Sequence, residues 1–480
     1  MTQARPGVRR QLGGFDFTLL VIGAVVGADI YIVGAVGAAY LGPAQLVAWL
    51  IGGVLAALIA LSFVQCAFIY PKVGGSYAYA HEAFGPLVGF LTGWALYAGA
   101  WIGLSIFPQA FANYLVYFFP NLSRTDRLLV EVLLIAAVTI INLAGVRTSA
   151  RVNDILTVAR LLPILLLIGV AFAFVALRPH DAVQHLTPFA PLGMSRLGPA
   201  ILIIFWAYAG FEMAVLPAAE VKQPRRTIPR GLVAGMIIVT AFYLLASFST
   251  VVALPWPIVA ASPRPLTDAF GAMLTAIGLP ARSGQIVMSL GGLISIAGVY
   301  DVATLTVARL SYAMAADGVF PSAFRRIHPK FGTPSFGIVF QAVSALIVVQ
   351  LVGITDLIAG SMFFLGLCYL LTALAALRLL QQFPDRALHV PALRWMLALG
   401  GLGGAYLSLQ APPWQIAVGT ATILIGLGIF AWRGGGWQTI AEQLAGLKRI
   451  EQDRLPRVGQ HQSWLLRFVR RQPRLKDWNR

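Results

Sequence analysis

The sequence predicts an all-α polytopic membrane protein with 12 transmembrane helices, on three observations. The 480 residues are 58% hydrophobic and only 11% charged, with a mean hydropathy of +0.79, a balance foreign to water-soluble domains. Apolar runs of about 20 residues, the length that crosses the hydrocarbon of a bilayer, recur from one end to the other. Its 48 glycines are spread through those runs, which suits helices packed closely in lipid and argues against a barrel.

In chain order the predicted spans are 17–41, 44–70, 87–119, 127–145, 153–177, 198–219, 230–254, 283–313, 335–353, 356–380, 392–410 and 413–432. Residues 1–16 form a cytoplasmic N-terminal segment, 17–432 a single membrane domain and 433–480 a basic cytoplasmic tail. The opening residues lack a short apolar core followed by a small-residue cleavage site, so the first span is expected to be retained. The connections 178–197 and 255–282 are the largest pieces between spans, and no linker is long enough to hold a soluble domain.

The net charge of +17 reflects topology rather than nucleic-acid binding. With the amino terminus inside, 28 of the 35 basic residues fall on the cytoplasmic side, 6 fall outside, and Arg160 alone lies within a span. That bias predicts cytoplasmic termini and location in the cell membrane. The tail mixes basic residues with Trp464, Leu465, Leu466, Phe468 and Val469. Such a segment either lies on the anionic inner leaflet or is simply solvated. Cys66 and Cys368 fall inside predicted spans, and neither they nor the six histidines show metal-ligand or catalytic spacing. No cofactor is expected, and nothing resembles a nucleophile–base pair, so the sequence does not read as an enzyme.

Three acids, Asp29, Glu212 and Asp301, lie deep in spans, against the single deep base Arg160. Were all four ionised, two negative charges would remain uncompensated in a medium of low dielectric. Either protons or a bound cation must make up the difference, so the chemistry is that of a site exchanging charge with solution. Each residue also has a structural alternative. Glu212 would bond backbone freed by a helix break, Asp301 would bond across a helix interface, and Arg160 would snorkel to the membrane surface.

Asp29 sits within GAVVGADIYIVGAVG (23–37), and span 6 carries FWAYAGFE (205–212). Glycine clusters at corresponding places five spans apart predict two interrupted helices. Near Gly27 such a break exposes amides on one side, favouring an anion, and carbonyls on the other, favouring a cation. Trp206 offers an aromatic face for an ammonium or guanidinium group.

Four stretches resemble the amino acid–polyamine–organocation permeases: GADIY (27–31), YPKVGGSYAYAHEAFG (70–85, followed by GW at 93–94), GFEMAVLPAAEVKQPRRTIPR (210–230) and RLSYAMAADGVFP (309–321). The resemblance implies a LeuT-like five-plus-five inverted repeat with spans 1 and 6 broken, two extra helices at the C-terminal end, and alternating access. It implies a substrate site at Gly27, Ala28, Asp29, Ile30, Trp206, Ala207, Tyr208 and Ala209. It places coupling and gating at Gly23, Val26, Arg160, Glu212 and Asp301, with Arg160 and Asp301 flanking the Gly23 and Val26 carbonyls. Two departures stand out. Asp29 replaces the second glycine of the family's motif, where a substrate carboxylate would dock. Arg160 replaces a lysine with a group that effectively never releases its proton.

The function expected is secondary transport of amino acids or related organic cations, proton-coupled or by exchange. The alternatives are a polyamine or monoamine permease and a substrate sensor that keeps the fold without turnover.

Overall fold

Helix starts follow local chemistry. The structure, a computed structural model describing residues 13–70, 75–145, 150–214 and 221–433, opens with α1 (Gly14–Val25). The Asp16 carboxylate accepts the Gly13 N–H at 2.8 Å, satisfying one of the amides left over at that helix end. The chain is interrupted at 26–28 and resumes as α2 (Asp29–Leu41). Then come α3 (Gln45–Ile69), α4 (Gly75–Phe84), α5 (Pro86–Leu104), α6 (Ile106–Leu115), α7 (Arg124–Leu143) and α8 (Ala150–Leu177). Ser123 and Asp126 cap α7 reciprocally: the Ser123 N–H donates to Asp126 at 2.9 Å, and the Asp126 N–H to Ser123 Oγ at 3.2 Å. The Ser123 hydroxyl, donating to the Asp126 carboxylate at 2.8 Å, and the Ser123 N–H hold exposed Asp126 below the usual aspartate range.

A short α9 (Pro179–Leu186) leads to α10 (Leu197–Phe205), a 3₁₀ turn at Trp206–Tyr208 and α11 (Phe211–Ala214). The rest comprises α12 (Pro224–Ala253), α13 (Trp256–Ala261), α14 (Pro265–Ala276), α15 (Ala281–Ala316), α16 (Ser335–Leu351), α17 (Ile354–Gln382), α18 (Leu393–Leu409) and α19 (Pro413–Arg433). Pro86, Pro179, Pro224, Pro265 and Pro413 each take the first helical position, where a missing N–H costs nothing.

Helix covers every segment predicted as a span, with three differences. Span 3 divides at Ser105, and both large connections contain helices: α9 in the first, α13 and α14 in the second. Among the described residues, seven helical stretches are long and apolar enough to cross a membrane on their own, and three shorter apolar helices accompany them. The short ones include Gly14–Gly23 and Leu197–Tyr208, each cut short by an interruption. The chain is thus a multi-pass, all-helical membrane protein. The N-terminal segment before residue 13, residues 71–74 and 215–220 of the quoted motifs, and the tail beyond 433 lie outside the described residues.

Around the interruptions, α12 packs on α1 and α3, α10 on α2 and α3, and α15 on α6, α7 and α8.

Candidate functional site

The first interruption begins where Val26 turns extended (φ −75°, ψ 104°), its N–H still bonded to the Ile22 carbonyl at 2.8 Å. Gly27 and Ala28 then redirect the chain into α2. A Cβ on Gly27 would meet Val299 Cγ2 at 3.1 Å and Asp29 Oδ2 at 3.3 Å, so glycine lets α15 and the Asp29 carboxylate close over the break. Gly23 and Gly34 do not share this constraint. A Cβ on Gly23 would meet nothing within 4 Å, and one on Gly34 only Pro265 at 3.8 Å.

Asp29 is buried, although it occupies the first turn of α2. Its carboxylate folds back over Gly27 and lies within electrostatic reach of Arg160 and Glu212. A helix N-terminus carries unsatisfied amides and partial positive charge. Asp29 therefore brings a tethered carboxylate to that helix start. Ile30 is buried beside it, and the Ala28 carbonyl accepts the Tyr31 N–H at 3.0 Å.

Arg160 does not snorkel. Its Nη2 donates to the Gly23 carbonyl at 3.1 Å, laying a cation on the last turn of α1, where helix carbonyls lack partners. The backbone locks it in register, because the Arg160 carbonyl accepts the Tyr31 hydroxyl at 3.0 Å and the Tyr31 carbonyl accepts the Tyr114 hydroxyl at 2.8 Å. Arg160 is thus joined to both sides of the first interruption.

At the second interruption the 3₁₀ turn ends at extended Ala209, whose N–H returns to the Trp206 carbonyl at 3.1 Å. Gly210 follows at φ +116°, a conformation that favours glycine. Its N–H donates to Glu212 Oε2 at 2.9 Å, so Glu212 caps the short helix it belongs to. Trp206 packs on Phe107 (5.9 Å between ring centroids), which packs on Tyr300 at 5.9 Å. Tyr208 turns the other way, donating to the Trp49 carbonyl at 2.7 Å and fastening the turn to α3.

Tyr243 of α12, which sequence reasoning missed, brings the interruptions together. Its hydroxyl lies 2.8 Å from the Val25 carbonyl and 3.0 Å from the Ala207 carbonyl. One O–H carries one proton, so the two carbonyls share it, and each keeps a lone pair for another donor. The only sequence signal was a tyrosine deep in an apolar run, where a buried phenol needs a partner.

Asp301 is not brought to the interruption. Asn142 Nδ2 of α7 donates to its Oδ1 at 2.8 Å and to its backbone carbonyl at 3.3 Å. Val299 faces Gly27, and two residues further along an α-helix is about 200° around the axis, so Asp301 points away.

Beyond the start of α2 opens a cavity of about 490 Å³, with Ile32 and Tyr114 among its lining and Arg196 and Thr355 among the residues nearer the helix ends.

The sequence profile of the amino acid permease family matches residues 12–434. The branched-chain amino acid permease BcaP of Bacillus subtilis (strain 168) is 26% identical over 450 residues, covering 89% of this chain and 94% of the relative. The serine/threonine exchanger SteT of the same organism is 29% identical over 409 residues, covering 82% and 90%. Among solved structures, a mutant of the manganese transporter of Eremococcus coleocola superposes with a TM-score of 0.57 at 15% identity, covering 87% of this chain and 94% of that one. At that identity the likeness concerns the fold.

Proposed function

Because the chain belongs to the amino acid permease family, we propose that it is a secondary active transporter carrying amino acids across the cell membrane by alternating access, coupled to protons. The observation carrying the coupling is the buried Asp29 carboxylate in the first turn of α2, folded over Gly27. Ionised, it competes with the carboxylate of a cargo molecule for the amides of that helix start and repels it. Protonated, it loses its charge and yields the place, so proton and cargo bind together. The cargo ammonium then meets the spare lone pairs of the Val25 and Ala207 carbonyls beside Tyr243, with Trp206 bordering the site. Arg160 holds the cation position against Gly23, which disfavours sodium there.

In this reading the chain crosses the membrane twelve times as a five-plus-five inverted repeat with two further helices. Helix on all twelve apolar segments supports it, as do the two interruptions meeting at Tyr243 though five segments apart. The basic-residue bias supports a membrane domain over 17–432 with both termini, including the tail from 433, in the cytoplasm.

The relatives named for branched-chain amino acids and for serine and threonine handle cargo with the same head group, so that head group is the part assigned here. The test is thermal stabilisation by single amino acids at several pH values, followed by counterflow in proteoliposomes. Saturation to about 100 times Kd adds about 2.7 kcal/mol of stability. Stabilisation that strengthens toward acid pH, together with counterflow, is the expected result. Stabilisation without counterflow would leave a sensor, and stabilisation by amines alone an amine permease.

A further inference from the structure

The cavity beyond α2 has a charge character that the interruptions do not explain. Its deep lining is Ile32 of α2 and Tyr114 of α6, and Tyr114 bonds the Tyr31 carbonyl, so it ends against the half-helix that Asp29 begins. Its other polar lining comes from Tyr40, Asn113, Ser262 and Thr355, and Arg196 is the one charged residue. Arg196 is exposed, and among the described residues none pairs with its guanidinium.

Of the charges next to the lining, Arg264 and Asp268 match each other and Asp356 lies off it. Arg264 is paired with Asp268 at 3.2 Å, and Asp268 also accepts the Ser262 hydroxyl at 2.6 Å. Asp356, next to Thr355, accepts from Gln415 of α19 at 3.2 Å and does not line the cavity. Arg264 Nη1 is buried without a hydrogen-bond partner, a second donor left over at this end of the molecule.

We infer that this cavity is an anion-selecting vestibule, with Arg196 as its selectivity residue, through which carboxylate-bearing cargo is admitted and purely cationic amines are disfavoured. The inference rests on the transport reading only in naming the cargo; the vestibule's charge preference is a property of the cavity itself. A cleft with low-dielectric walls and one unpaired guanidinium concentrates anions and depletes cations. A zwitterion meets Arg196 with its carboxylate, whereas an amine without one meets only repulsion.

A cargo-free experiment decides this. The native thiols Cys66 and Cys368 are fully buried, so a cysteine introduced into the lining is the reactive one. Thr355→Cys and, as an independent second position, Asn113→Cys are labelled in proteoliposomes with anionic 2-sulfonatoethyl and cationic 2-trimethylammonioethyl methanethiosulfonate. Rates are referred to those of a small free thiol.

The expected result at either position is an anion preference of about tenfold at low salt, the lower end of the focusing effect of a charged cleft. It should shrink as salt is raised and fall toward unity when Arg196→Gln is added. Equal or cation-favouring reactivity, or a preference indifferent to Arg196→Gln, would overturn the inference. Because no cargo is present, failure of amino acid transport would leave this result standing, and failure here would leave the transport reading standing.

Discussion

The two interrupted helices solve the same problem in opposite ways. At the first, the loose backbone ends are met by side chains from elsewhere: Arg160 of α8 on the Gly23 carbonyl, Tyr243 of α12 on the Val25 carbonyl, and Val299 of α15 closing over Gly27. At the second, the chain largely satisfies itself, with the Ala209 N–H returning to Trp206 and Glu212 capping Gly210. Beside those bonds of its own, the second takes two neighbour contacts, Tyr243 on the Ala207 carbonyl and the Tyr208 hydroxyl on α3. The first is held only while three other helices stay in place, so helix movement there exposes or covers charge. On that physical ground we propose that Asp29, rather than Glu212, carries the exchangeable proton.

The largest structural effect should follow loss of the cation at the first interruption. Arg160→Leu removes a charge-assisted bond and leaves helix carbonyls uncovered, costing about 1.5–3 kcal/mol, measured as a drop in melting temperature in detergent. Arg160→Lys should recover only part of it, since an ammonium lacks the planar fork of donors. An undiminished melting temperature in Arg160→Leu would erase the contrast between the two breaks.

Next comes steric closure. Gly27→Val should cost about 1–3 kcal/mol by overpacking against α15, with partial rescue by Val299→Ala. Gly34→Ala, where a Cβ has ordinary room, should be neutral or stabilising by up to about 1 kcal/mol through helix propensity. Equal effects at both glycines would show that position 27 is not special.

Much of this contrast could be seen before any coordinates. An acid amid glycines in an apolar run is costly unless it faces a polar site, so residues 27–29 declared themselves. The all-helical, membrane-spanning character did so too, because bilayer thickness imposes the length of apolar runs. What could not be seen depends on helix phase. Asp301 and Val299 lie two residues apart on α15, and only packing decides which faces Gly27 and which faces Asn142. Tyr243 was hidden for the same reason: a phenol in an apolar helix does not reveal which carbonyls it meets. The direction of Arg160 required the register of α8 against α2, set by the Tyr31 hydroxyl. Helices α9, α13 and α14 were missed because short connecting helices lack a membrane-length apolar run.

Smaller effects sharpen the comparison. Tyr243→Phe leaves the Val25 and Ala207 carbonyls without their shared donor and should cost about 1 kcal/mol. It should also change cargo affinity in the stabilisation assay, since both carbonyls border the site; an unchanged affinity would remove Tyr243 from it. The smallest effect is expected for Glu212→Gln, whose amide oxygen still accepts the Gly210 N–H. Stability should move less than in Tyr243→Phe, and the pH dependence of transport should stay as in the parent. If Glu212→Gln abolished that dependence, the roles of the two interruptions would be reversed.

The most direct measurement is the pH dependence of amino acid binding and of proton-driven accumulation in Asp29→Asn proteoliposomes. A permanently neutral side chain at the head of α2 should bind cargo at every pH tested as the parent does under acid conditions. It should also lose at least about tenfold of gradient-driven accumulation, equivalent to about 1.4 kcal/mol. Parent-like pH dependence together with parent-like accumulation in Asp29→Asn would contradict the assignment outright.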